Sequence, residues 1–166
     1  IGSAYIDAYA AIKLERWAYP IKTDPKWHNG NYYDKGQPIQ GLSTALAYIT
    51  QDALHPTGFN QRYPAPQLDN APLQDIKATF SAWDQLLQQA KARAQYQDAN
   101  HILYLVRASQ LWRAGMGDNW QHALSRVKAK TLFLPASGDL LLPPALSQHS
   151  ATAMKTGGNT PQYAEI

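Results

Sequence analysis

Apolar residues recur along this chain mostly at intervals of three and four, the spacing that lines one face of a helix. From Tyr5 to about Ala18 the residues Ile6, Tyr9, Ala10 and Trp17 keep that period, and Pro20 is expected to stop the helix. A second helix is predicted from Gly41 to about Leu54, with Leu42, Ala45, Leu46, Ile49 and Ala53 on one face and His55-Pro56 at its end. A long third helix is expected from Leu73 to about Tyr96, carried by Leu73, Ile76, Phe80, Trp83, Leu87 and Ala90. A fourth follows from Asn100 to about Arg113 through Ile102, Leu103, Leu105, Val106 and Leu111, closed by Gly115. Between them, Lys22–Gln40 is polar and rich in Gly, Asn and Tyr and reads as an ordered loop. The proline-rich stretch Thr57–Pro72 reads as an irregular excursion.

The pattern changes near both ends. Ile1–Ala4 reads as the end of a buried strand, and Thr131–Leu134 is a short apolar run that predicts another. A short helix is expected around Trp120–Val127, and one from Pro144 to about Met154 that Gly157-Gly158 stops. The final TPQYAEI opens one more strand. The order is strand, helix, a mainly helical middle, strand, helix, strand. The fold class this predicts is α/β: mostly helical, with a helical lid inserted between strands of a parallel sheet. Three stretches follow: residues 1–40 with a core strand end, core helix and connecting loop, 41–115 as the lid, and 116–166 as a core segment.

Composition narrows the classes. The 166 residues leave room for one domain with a real core, and 45% hydrophobic content excludes wholesale disorder. Fifteen basic against twelve acidic residues give a net charge of +3, with the basic ones scattered singly, so no nucleic-acid patch is expected. The absence of cysteine removes disulfides, Cys-ligated zinc and a thiol nucleophile, and suits cytoplasm and periplasm alike. No apolar run reaches the length of a membrane span, and the N-terminal IGSAYIDAY lacks the build of a signal peptide. That opening, without Met and resembling a strand end, reads as a segment of a larger fold.

Asp139 is the candidate catalytic residue. It lies just past the Thr131–Leu134 run, at the strand edge where open α/β sheets place their chemistry. Gly138-Asp139 is also an ordinary turn pair, and the residues alone leave both readings open. Asp98 and Asn100 precede an apolar helix, which makes capping the favoured role for them over substrate contact. Trp27, Tyr32 and Tyr33 are expected to anchor their loop by burial, and Phe80 and Trp83 to lie in the core. Tyr104 and Arg107 are expected to pack or pair. None of His28, His55, His101, His122 and His149 has metal-ligand spacing, and each reads as a surface or core histidine.

Four motifs in order along the chain carry a family resemblance. Asp24-Pro25-Lys26-Trp27-His28-Asn29-Gly30-Asn31-Tyr32 is similar to a DPxWxxGxY segment, followed by Pro38 and Gly41-Leu42 at the start of a helix. Asp98-Ala99-Asn100-His101-Ile102-Leu103-Tyr104-Leu105-Val106-Arg107-Ala108 is similar to DANSYLYLTRA, and Ala129 to Pro144 to an acid-bearing strand and turn. In this order the segments resemble the homoserine O-acetyltransferase-like branch of the α/β-hydrolases. The resemblance implies a Ser, Asp, His triad in that chain order, with Asp139 as the acid. The nucleophile Ser would lie in a segment upstream of Ile1 and the His downstream of Ile166, since no G-x-S-x-G elbow or late Gly-His occurs between them.

The implied activity is transfer of an acyl group from an acyl-serine to an alcohol or to water, on a small ester or acyl-CoA substrate. No cofactor is expected, and an acyl donor such as acetyl-CoA would enter as substrate. A cytoplasmic location and a homodimer through the lid belong to the same expectation. One departure concerns the acceptor. Where the acetyltransferases carry an Arg in the first lid helix this chain has Leu46, and Gln51 follows Thr50 where they have Tyr. Leu46 cannot pair with a substrate carboxylate, which favours an ester hydrolase or another acceptor. Two further readings stand beside these: a catalytically inert piece that acts through its missing parts, and an all-helical binding module without a strand at Thr131–Leu134.

Overall fold

In the computed structural model, residues 3–63, 75–117 and 119–166 are described. The chain divides into two compact units, Ile1–Leu14 with Arg107–Ile166, and Glu15–Val106.

The first unit holds the sheet. Strand β1 (Leu132–Phe133) pairs in parallel with β2 (Gln162–Tyr163), Leu132 opposite Gln162 and Phe133 opposite Tyr163. Of the three strands expected, those at Thr131–Leu134 and in the final TPQYAEI form, and the all-helical reading is excluded. Parallel strands need a crossover, and helix α7 (Pro144–Thr156) supplies it. Phe133, Ala151 and Met154 form the buried centre, with Leu124, Val127 and Tyr163 packed against it. A short helix α6 (Trp120–Ser125) is capped by the Asn119 side chain, which accepts from the N–H groups of Gln121 and His122. Gly157 follows the last turn of α7 as its cap, and only glycine fits there, since a Cβ would fall 1.6 Å from the Ser125 carbonyl oxygen. Expected strand residues Ile1 and Gly2 lie outside the described residues. Ser3 and Ala4 are buried but not in a strand, and Tyr5 makes an isolated antiparallel bridge with Arg113.

Helix α1 (Ala8–Thr23) starts in the first unit and ends in the second. It starts at Ala8 because the Asp7 carboxylate accepts the Ala10 N–H at 2.8 Å. It also runs through Pro20 instead of stopping there. A proline inside a helix costs about 3 kcal/mol. Ile21, fully buried one residue on, offsets about 1.5–3 kcal/mol of that, and the Thr23 hydroxyl donates to the Tyr19 carbonyl in the same turn.

The second unit packs α2 (Ile39–Asp52) against α4 (Ser81–Ala94), joined by α3 (Pro56–Arg62) and residues outside the description. Helix α2 buries Leu42, Ala45 and Leu46 as its spacing predicts. Two expectations change here. The start of the expected excursion is helical, because His55 caps α3 with Pro56 in its first turn. The long third helix starts at Ser81, and Leu73 lies outside the described residues. Asp75 explains the late start: its carboxylate accepts the Lys77 N–H at 2.9 Å and its carbonyl the Ala78 N–H at 3.0 Å, a turn that competes with helix. The buried stripe is accordingly Leu86, Ala90 and Ala94, while Ile76 and Phe80 are exposed. Helix α5 (Ala99–Gln110) buries Ala99, Ile102 and Val106, and ends before Gly115 in a turn.

Gly41 sets how closely α2 approaches the end of α1. A Cβ there would lie 2.3 Å from the Pro20 carbonyl oxygen and 2.9 Å from the Asp24 Cβ. Gly41→Ala is therefore expected to force the two helices apart and destabilise the fold by about 1–3 kcal/mol, read as a lower midpoint in chemical denaturation.

Candidate functional site

The turn after β1 is built from backbone pairing. Beyond the strands the ladder continues: Ala164 N–H donates to the Phe133 carbonyl at 3.1 Å and Ile166 N–H to the Pro135 carbonyl at 3.1 Å. The Ser137 N–H then donates to the Ile166 carbonyl at 2.8 Å. Both strands thus leave the sheet at the same end, and the chain turns at Asp139 two residues later. The Asp139 N–H closes that turn on the Ala136 carbonyl at 3.1 Å.

The Asp139 carboxylate is held by its own loop. Oδ1 accepts the N–H groups of Leu141 and Leu142, both at 2.8 Å, and the side chain is half-buried. Among the described residues nothing hydrogen-bonds Oδ2. Two donors on one oxygen fix the plane of the carboxylate and leave the other oxygen as an oriented acceptor. The turn is also tied to α1, where the Lys13 Nζ donates to the Leu140 carbonyl at 3.1 Å. Lys13 carries no sequence signal, because it is one of many isolated lysines.

No histidine of the described residues meets Asp139. His149 Nδ1 lies 2.9 Å from the Tyr5 hydroxyl, and His55 serves as the cap of α3. His28 sits in the 3₁₀ turn Pro25–Gly30 with a positive φ of 48°, while His101 and His122 are exposed. Among the described residues no group of three His, Cys, Asp or Glu could hold a metal ion. No helix there is long and apolar enough to cross a membrane.

The two other motifs meet each other. Asp98 caps α5: Oδ1 accepts the His101 N–H at 2.7 Å, and Oδ2 accepts the hydroxyl of the fully buried Tyr32 at 2.6 Å. The same hydroxyl accepts the Asn100 N–H at 3.0 Å. Asn100 Oδ1 accepts Trp27 Nε1–H at 2.9 Å, and its Nδ2 donates to the Gly30 carbonyl at 3.0 Å and the Tyr33 hydroxyl at 3.2 Å. At the other end of the motif, Asp24 Oδ2 accepts the Gly41 N–H at 2.8 Å. These hydrogen bonds within the protein fit the capping role expected of Asp98 and Asn100 and the anchoring role expected of Trp27 and Tyr32. Burial, and then the bond to Asp98, push the Tyr32 phenol well above its ordinary value.

The remaining candidates fall outside both clusters. Tyr104 and Arg107, expected to pack or pair, are exposed. Trp83 is half-buried beside Tyr48, with ring centroids 6.2 Å apart. Leu46 is buried in α2, and its carbonyl accepts the Thr50 hydroxyl at 2.8 Å. Arg93 of α4 donates to that hydroxyl at 2.7 Å, while Gln51 is exposed.

No protein-family model matches the chain. It is 33% identical over 151 residues to a homoserine O-acetyltransferase of Methanocorpusculum labreanum, covering 88% of this chain and 30% of that protein. Among solved structures it is similar to esterase E22, with TM-score 0.89 and 42% identity, over 99% of this chain and 45% of the other. A homoserine O-acetyltransferase from Bacillus anthracis shares the fold with TM-score 0.90 at 22% identity, over 99% of this chain and 44% of the other. The chain therefore spans less than half the length of these relatives. Its fold and sequence are those of an α/β-hydrolase in part. Within that superfamily its sequence is similar to the homoserine O-acetyltransferases.

The clamp has a pH signature. A phenol with a raised folded-state value stabilises the fold fully below its ordinary value of 10.0 and loses that contribution as pH rises through and above it. Tyr32→Phe is expected to cost about 1–3 kcal/mol near neutrality by leaving buried partners unpaired. The gap between wild type and variant should narrow above pH 10.0, as measured by denaturant unfolding at a series of pH values.

Proposed function

We propose that the intact protein is a serine-dependent acyl-transfer enzyme with Asp139 as the acid of its triad and water as the favoured acyl acceptor, that is, an ester hydrolase. The observation that carries the reading is the Asp139 turn: one carboxylate oxygen held by the Leu141 and Leu142 N–H groups, the other unpartnered among the described residues, at the end where both strands leave the sheet. In this reading Oδ2 accepts the Nδ1–H of a histidine following Ile166. It sets the imidazole tautomer and stabilises the imidazolium formed as the histidine takes the serine proton. The serine, upstream of Ile1, attacks the ester carbonyl; backbone N–H groups stabilise the oxyanion, the alcohol leaves, and water releases the acyl group.

The choice of acceptor rests on Leu46 and on the relatives. A buried leucine gives a substrate carboxylate no cation at the position where the acetyltransferase branch has Arg. The similarity to esterase E22 points the same way. The reading requires no resident cofactor, and the branch implies a cytoplasmic location.

In the intact protein, Asp139→Asn is expected to lower turnover of short-chain nitrophenyl esters by about 10⁴ without a change in unfolding midpoint. Near-normal turnover would falsify the role given to Asp139. Incubated with homoserine and acetyl-CoA, the protein is expected to release no more CoA than with acetyl-CoA alone; efficient homoserine-dependent release would overturn water as the favoured acceptor.

A further inference from the structure

The acid turn is linked to α1 through a single peptide group. Leu140 C=O and Leu141 N–H belong to the same peptide unit. Its oxygen accepts from Lys13 Nζ at 3.1 Å, and its N–H donates to Asp139 Oδ1 at 2.8 Å. A peptide that accepts a hydrogen bond from a cation becomes a stronger donor at its own N–H, because hydrogen bonds in a chain polarise one another. Lys13 is itself half-buried, and its ammonium lies 5.0 Å from the centroid of the Tyr9 ring one turn earlier on the helix. The side chain is thus held on both sides, by the ring and by the carbonyl, which reduces the freedom that makes an exposed lysine contact weak.

We propose that Lys13 is a positioning residue for the acid: through the Leu140–Leu141 peptide it orients and polarises the hydrogen bond that holds Asp139 Oδ1, and so fixes the direction in which Oδ2 is presented. The inference rests on the reading of Asp139 as the triad acid. It assigns Lys13 no contact with substrate and no proton to transfer. The effect follows from geometry: if the peptide is free to rotate, Oδ1 loses one of its two donors and the carboxylate plane is set by Leu142 alone. A misplacement of this kind in a catalytic dyad lowers the chemical step without altering substrate binding.

The test uses the intact protein, ester hydrolysis kinetics and thermal unfolding. Lys13→Met, which keeps the stem against Tyr9 and removes the donor, is expected to lower kcat about tenfold with KM unchanged. The unfolding midpoint should stay at the wild-type value. Lys13→Arg, which restores a donor, should recover most of the loss. Combined with Asp139→Asn, Lys13→Met should reduce kcat no further, because its effect passes through that carboxylate. Wild-type kcat in Lys13→Met beside an inactive Asp139→Asn would overturn the proposal and leave the triad reading standing. A kcat loss that follows the unfolding midpoint, or that adds in full to Asp139→Asn, would overturn it as well. If Asp139→Asn retains normal turnover, the reading of Asp139 fails first and the role of Lys13 with it.

Discussion

The parallel ladder between β1 and β2 is the constraint on which the candidate site depends. It is short in side-chain terms, with only Phe133 of β1 buried, yet its backbone bonds run on through Pro135, Ser137 and Ile166. That extension brings two chain segments out of the sheet together. Without it the residues 135–139 would be a free loop, and an aspartate in a free loop has no defined direction. With it, the turn at Asp139 starts from a fixed position, and its own amides then set the carboxylate. Position comes from the sheet and orientation from the loop.

Much of this was legible in the sequence, and the failures have identifiable causes. The helical stripe of α2 and the apolar run of β1 are burial patterns, and burial is what dominates there. Pro20 misleads because a local penalty is offset by the burial of a residue beyond it, Ile21, which periodicity alone does not weigh. Asp75 misleads in the opposite sense, since a short carboxylate can satisfy nearby N–H groups and hold off a helix that the apolar spacing of Ile76 and Phe80 would allow.

The motif segments illustrate a different limit. Each can be read as a local signal, Asp24 before Pro25 as a cap and Asp98 before an apolar helix as another, and both readings agree with the structure. What spacing cannot convey is that the two segments are partners. The indole of Trp27 and the phenol of Tyr32 are expected from the sequence to anchor their loop by burial, but the spacing names no partner for their polar atoms. Those partners are Asn100 and Asp98. The Asp139 loop shows the reverse: a common turn pair by composition, with one oxygen left available once the loop's own amides are counted.

The clamp between these segments also bears on how the chain closes on itself. Its bonds join residues 66, 67, 68, 70 and 73 positions apart. Closing a flexible loop of that length costs on the order of 4 kcal/mol, and the cost rises only with the logarithm of loop length. It is incurred once. After the first of these bonds forms, the others join groups already within reach and meet almost no further closure entropy. The contacts therefore behave as one cooperative closure and not as separate bonds, and whatever breaks the first to form weakens them all.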